Sequence, residues 1–257
     1  MESLLFCVMH HSTCELHTEV FDKCISSIKN FHPNNKIIVC HTSTSTIPAH
    51  MLEYTNVTYQ LTPIDGTHVY GAMSLLVKLN DVENYILLHD SMILLKPLGE
   101  NVLNKRFYFL WYFQALYHQN YDNIIQLICN TKFNFKSKCE ILDKYHNQAG
   151  NTWIGLFGPA FGGKIEILKT FWDMLNIDDT NLVNYKGRDQ IMMAERYIPL
   201  IATYMGIVDI FPNTISLNNS IEMQPYKFIK AANINNVNQV INAPYNSYMC
   251  KIWLMRP

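Results

Sequence analysis

Residues 85–95 read Tyr85-Ile-Leu-Leu-His-Asp-Ser-Met-Ile-Leu-Leu95: an apolar strand that stops on the polar triplet His89-Asp90-Ser91 and then turns apolar again. The triplet puts a carboxylate where a buried strand meets solvent. In α/β proteins ligand sites form at the carboxyl ends of parallel strands, so an Asp at this point is better placed for chemistry than one on a helix surface. An Asp at a strand end also caps the next element or opens a turn, so its neighbours must decide between the two uses.

Upstream, residues 4–9 form a short apolar run read as a strand, and 15–31 carry Leu16, Val20, Phe21, Cys24, Ile25 and Ile28 at helical spacing. His32-Pro33-Asn34-Asn35 is a turn and 36–41 a second apolar strand. Strand, helix and strand make a βαβ unit, which implies parallel strands and a right-handed crossover. A polar loop over 42–48, a strand over 56–61, and a helix over 69–79 with Val69, Met73, Leu76 and Val77 on one side lead into the 85–88 strand. The sequence Pro63-Ile-Asp-Gly66 reads as a turn.

Downstream, Arg106-Phe-Tyr-Phe-Leu-Trp-Tyr-Phe113 reads mostly as a buried strand. Trp153-Ile-Gly-Leu-Phe-Gly-Pro-Ala-Phe-Gly-Gly163 reads as a strand with a Gly-rich turn, followed by an amphipathic run over 164–175. Tyr185-Lys-Gly-Arg-Asp-Gln190 opens a helix over 188–197, and the polar tail from Ala231 shows no period and reads as a loosely packed extension.

Composition narrows the class. A chain of 257 residues, 49% hydrophobic, buries a full core and is most simply one α/β domain. With 20 Lys+Arg against 21 Asp+Glu it lacks the basic field that phosphate-backbone binding requires, so nucleic acid is not an expected partner. The first apolar run has no cationic leader, so no export signal is expected. The stretch 198–208 is too short for a membrane span and is interrupted by Pro199, Thr203 and Gly206. Seven cysteines without a C-x-x-C pair suit a reducing compartment, and a cytoplasmic location is expected. The abundance of Asn, Ile and Lys points to an AT-rich genome such as that of a large DNA virus, with host cytoplasm as the location in that case.

The order β-α-β-β-α-β, with Asp90 closing the last strand, resembles the nucleotide-binding half of GT-A glycosyltransferases. The resemblance implies a Rossmann-like α/β/α sandwich with a mostly parallel central sheet. It would be a single domain over 1–257, with a nucleotide-binding half (1–100), an acceptor-side half (101–215) and a C-terminal extension (216–257). In that family the strand ends in an acidic signature, usually Asp-x-Asp, whose carboxylates hold a divalent cation against the donor diphosphate. A departing nucleoside diphosphate accumulates negative charge, which a hard cation on oxygen ligands neutralises. Here His89, Asp90 and Ser91 lie across the signature, so Asp90 is the implied ligand of a sparsely held Mn²⁺ or Mg²⁺.

Many family members add a late His ligand, but all ten histidines here fall between His10 and His146. Lys78, Arg188, Lys227 and Lys230 are alternative cations for the leaving group. The His10-His11-Ser12-Thr13 segment falls where family members meet the nucleotide base and ribose, although Ser12 or Thr13 also suits a helix N-cap. With Asp90, Ser91, Arg188 and Gln190 these form the implied donor-binding set.

The resemblance puts Gly158, Phe161, Gly162 and Gly163 on the acceptor side, where glycines let backbone approach a sugar; tight turns use glycine equally. Asp189-Gln190 matches a pair that reaches the donor sugar in retaining members. An Asp at a helix start is also common for its interaction with the macrodipole. Glu195 matches the stretch that supplies the base in inverting members, or pairs with Arg188 or Arg196 at the surface. Asp189 and Glu195 are thus the catalytic candidates, and retention or inversion stays open.

The implied activity is sugar transfer from a nucleotide-diphosphate donor such as a UDP-sugar to a hydroxyl on a glycan, protein or small molecule. The alternative is a catalytically silent module of the same fold that binds a nucleotide or glycan. A hydrolase metal centre of His10, His11, His89 and Asp90 trails both, for want of a second acidic cluster.

Overall fold

In the computed structural model, residues 4–11, 14–99, 104–110, 112–114, 121–146, 154–156, 160–209, 226–231, 238 and 249–254 are described. Strand β1 (Leu4–His10) is buried at every position, as its unbroken apolar run requires of a strand covered on both faces. Helix α1 (Glu15–Phe31) follows and buries Val20, Phe21, Cys24, Ile25 and Ile28. Strands β2 (Lys36–His41) and β3 (Val57–Leu61) come next. Helix α2 (Val69–Leu76) is shorter than its apolar pattern suggests. The chain tightens there, with Lys78 and Leu79 donating to carbonyls only three residues back, Leu75 and Leu76.

Strand β4 (Asn84–His89) leads through Asp90 into the short β5 (Met92–Leu94). Beyond it lie β6 (Phe107–Phe109), β7 (Tyr112–Gln114), helices α3 (Tyr121–Asn130) and α4 (Phe135–His146), β8 (Ile154–Leu156) and β9 (Phe161–Lys164). Helices α5 (Ile165–Leu175) and α6 (Arg188–Tyr204), then β10 (Tyr226–Ala231) and β11 (Met249–Leu254), complete the described elements.

The central sheet has six strands in the order β3-β2-β1-β4-β9-β6. β1 to β4 pair in parallel, and only β9 runs against its neighbours. Leu5, Cys7 and Met9 of β1 face a core shared with α2, α5 and α6. Leu4, Phe6 and Val8 face a second core shared with α1. The architecture is therefore α/β, with a mostly parallel sheet between helical layers, compatible with a Rossmann-like fold. No helix among the described residues is long and apolar enough to cross a membrane.

Two segments correct the sequence reading. The glycines of 161–163 lie in strand β9, inside the sheet, rather than in a turn. A Cβ on Gly162 would meet the Tyr108 hydroxyl and the Tyr85 carbonyl, and one on Gly163 the Arg106 carbonyl, so both glycines let neighbouring strands close. Residues 249–254 of the tail are also packed into the structure rather than loosely attached. Met249, Cys250 and Ile252 are buried, and β11 pairs antiparallel with β5 in a second sheet of order β10-β11-β5.

Gly162→Ala is expected to destabilise the protein by about 1–3 kcal/mol or more, because the added methyl meets backbone and a buried ring. A lowered urea midpoint checks this, and an unchanged midpoint would contradict the packing role.

Candidate functional site

Strand register assembles the site. Met9 pairs with His89 and His10 with His41, while His41 also pairs with Leu61, so the four parallel strands end nearly level. The next residue of each strand is polar: His11, Thr42, Thr62 and Asp90. They form one rim of hydrogen bonds. The His11 ring meets the Thr42 hydroxyl at 3.2 Å, Thr42 Oγ1 lies 2.7 Å from Ser45 Oγ, and Ser45 donates to the His10 carbonyl at 3.1 Å. Asp65 accepts from Thr62 Oγ1 at 3.3 Å and from the Ser43 backbone at 3.0 Å, tying the loops after β2 and β3 together. Gly66, at φ +83°, lets that turn form.

Asp90 is the hub, and it is buried, with 7% of its surface exposed. Its Oδ2 accepts from His10 Nδ1 and from the His11 backbone N–H, both at 3.0 Å, and its Oδ1 lies 2.7 Å from His89 Nδ1. His10 stacks on Phe21 with ring centroids 3.7 Å apart, and its Nε2 donates to the Thr46 carbonyl at 3.0 Å. Both ring nitrogens of His10 are thus engaged. Burial by itself disfavours the Asp90 carboxylate. The charge of His89 and the hydrogen bonds from His10 and His89 outweigh it and hold the carboxyl well below the usual range.

This arrangement corrects two expectations. Asp90 does not stand at an open rim; it is turned under a cover of N–H donors. It also does not fit a hard divalent cation. Mg²⁺ and Mn²⁺ take oxygen ligands, whereas both oxygens of this single carboxylate are engaged by N–H groups. The four-residue hydrolase centre fares no better, since His10 has committed both ring nitrogens. No group of three or more His, Cys, Asp or Glu among the described residues is arranged to hold a metal ion.

A fourth histidine adjoins the hub. His68, which precedes α2, has its ring edge-on to His11 at 5.5 Å between centroids and a backbone φ of +43°, a strained conformation for a residue with a Cβ. Burial, then the nearby His11 and His89, lower its pKa to about 4, with Asp90 opposing.

The start of α6 belongs to the same rim. Gly187 donates to the Gly66 carbonyl at 3.0 Å, fixing the helix entry against the loop after β3. Arg188 and Asp189 are exposed, and Gln190 is half-buried with its Oε1 enclosed and unbonded among the described residues. Glu195, farther along the helix, is half-buried, and its Oε2 is 3.8 Å from Arg196 Nη1. Ser91 lies beside His89, with Oγ 3.2 Å from Nδ1.

The structure adds Lys251, which sequence reading missed. It lies on β11 in register with Met92, and the next residue, Ile252, donates to the Ser91 carbonyl at 2.8 Å. Burial lowers its pKa, while the charges of Glu195 and Asp90 act to raise it, so this lysine falls in the fields of both carboxylates. A lysine inside the alternating run Met-Cys-Lys-Ile-Trp-Leu was the available signal.

Other expected members lie elsewhere. Phe161 is fully buried against Phe107, 5.3 Å between ring centroids, which makes it a core ring rather than an acceptor-side platform. Gly162 and Gly163 serve the sheet, and Lys78 pairs with Asp179 at 2.8 Å on the exposed surface. Ser12, Thr13 and Gly158 lie outside the described residues. No protein-family model matches the chain, and no curated protein matches it.

Asp90→Ala is expected to cost about 3–5 kcal/mol at neutral pH, because it strands His10 in the core; urea denaturation measures this. The pH dependence follows from His68. Its folded pKa of about 4 lies below the ordinary 6.5, so below pH 6.5 the unfolded chain takes a proton that the fold refuses. Stability should fall between those values by up to about 1.4 kcal/mol per pH unit. The Asp90 contribution, from a depressed carboxyl, stays until the pH drops below 3.8. Urea midpoints of wild type and His68→Asn across this range check the sign, and a slope equal in both would refute it.

Proposed function

We propose that this chain is a glycosyltransferase of the GT-A type that moves a sugar from a nucleotide-diphosphate donor to a hydroxyl acceptor. The observation that carries this reading is the convergence at one sheet edge of the loops after four parallel strands and the start of α6, the helix that also carries Glu195. Crevices outside the carboxyl ends of parallel strands are where α/β folds bind nucleotides. The order β-α-β-β-α-β with Asp90 closing the fourth strand supports the same assignment.

Each group has a role in that reaction. Asp90, held as an anion by its N–H donors, positions His10, His11 and His89 at the floor of the site. His11 meets the nucleotide, and Arg188 and Gln190 face the donor. Glu195 takes the proton from the acceptor hydroxyl as it attacks the anomeric carbon and the bond to the diphosphate breaks. Asp189, exposed in the first turn of α6, is the other candidate for contact with the reacting sugar.

A second reading is favoured by one observation: Asp90 spends both oxygens within the protein. A module that binds a nucleotide or glycan without turnover would need no more of it. Glu195→Gln separates the two, because it removes the base and leaves the Asp90 hub intact.

For the enzyme, Glu195→Gln should lower donor-sugar hydrolysis or transfer by about 10²–10⁴-fold at an unchanged melting temperature. Equal rates in variant and wild type would remove Glu195 from the mechanism. Nucleotide binding without hydrolysis or transfer from any UDP- or GDP-sugar would establish the module instead.

A further inference from the structure

We propose that His68 contacts the nucleoside part of the donor, its ring exchanging hydrogen bonds with the base or ribose. This deepens the transferase reading above and rests on it. The starting observation is a backbone conformation that suits glycine. His68 sits at φ +43° and ψ −110°, and the Tyr70 N–H closes the turn onto the Thr67 carbonyl at 3.0 Å. These values lie close to the first central position of a type II′ turn, where glycine dominates because a Cβ is strained.

The fold holds the residue there from both sides. Thr67, Val69 and Tyr70 are fully buried, and the Thr67 hydroxyl donates to the Ile64 carbonyl at 2.6 Å. Two residues earlier the same loop meets φ +83° with a glycine, Gly66, whereas position 68 carries an imidazole. Strained positions of this kind persist where the surroundings over-determine them, and they cluster at ligand-binding sites.

The ring offers the protein little in return for the strain. It is half-buried, forms no hydrogen bond or ion pair among the described residues, and leaves its nitrogens open to solvent. Its ring neighbour is His11, edge-on at 5.5 Å, whose backbone N–H is bonded to Asp90. His68 thus stands at the carboxyl edge of β1 and β4, where the proposed donor enters. Ring chemistry then selects the part of the donor. With a pKa lowered to about 4, the imidazole is uncharged at neutral pH. A neutral imidazole presents one donor and one acceptor. That pair matches the mixed donors and acceptors of a base edge or ribose diol better than the acceptor-only oxygens of a diphosphate.

The experiment is calorimetric titration of UDP, GDP and inorganic pyrophosphate into wild type, His68→Gly and His68→Ala, each with and without Mn²⁺, with melting curves of the ligand-free proteins. His68→Gly removes ring and strain together, whereas His68→Ala removes the ring and keeps the strain. Both variants should bind the preferred nucleotide about threefold to tenfold more weakly than wild type, while pyrophosphate binds all three proteins alike. His68→Gly should melt no earlier than wild type and about 2–4 °C above His68→Ala. Equal nucleotide affinity in the variants overturns the proposal and leaves the transferase reading standing. Weakened pyrophosphate binding in the variants assigns the ring to the phosphates and overturns it. A His68→Gly protein that melts earlier than wild type or fails to fold makes the ring a structural element and also overturns it. Absence of UDP and GDP binding by wild type in both buffers overturns the proposal and the nucleotide-donor reading together.

Discussion

The structure depends on keeping one carboxylate ionised inside a protein. Asp90 sits where β4 leaves the sheet, and water is largely excluded from it. A buried anion is tolerated only when its oxygens are fully hydrogen-bonded. The donors that satisfy it are His10 Nδ1, the His11 backbone and His89 Nδ1. They come from the ends of β1 and β4, so the charge locks two parallel strands at their carboxyl ends. His10 is in turn held by Phe21 of α1 and the Thr46 carbonyl, which extends the lock to the first helix and the loop after β2.

That solution constrains the chemistry nearby. A carboxylate used this way is a structural anion and a poor metal ligand. The strained backbone of His68 lies beside the Asp90 hub. Strain and unmet polar groups persist where the surrounding fold over-determines them, and they concentrate at binding sites. Natural proteins commonly give up some stability at such places for function.

The same economy explains the two glycines of β9. The antiparallel strand that separates β4 from β6 must pass under Tyr85 and Tyr108, and only residues without a Cβ allow that approach. Read in isolation, a Gly-rich stretch suggests a loop near a ligand. Here the glycines pack the sheet that supports the site, and Phe161 beside them fills the core.

Much of the first half of the chain was legible from residues alone. The helix over 15–31 and the strand over 36–41 match their patterns to the residue, because an amphipathic stripe and an apolar run are local signals. The polar triplet at 89–91 and the parallel βαβ unit were readable for the same reason, and together they located the sheet edge that matters. What the residues could not reveal was which way Asp90 faces, that β9 threads between β4 and β6, and that residues 249–254 return to pair with β5. Each of these is a contact between segments far apart in sequence. Local periodicity records whether a side chain is buried, but the partner that buries it, and the charge it meets there, are decided only when the strands assemble.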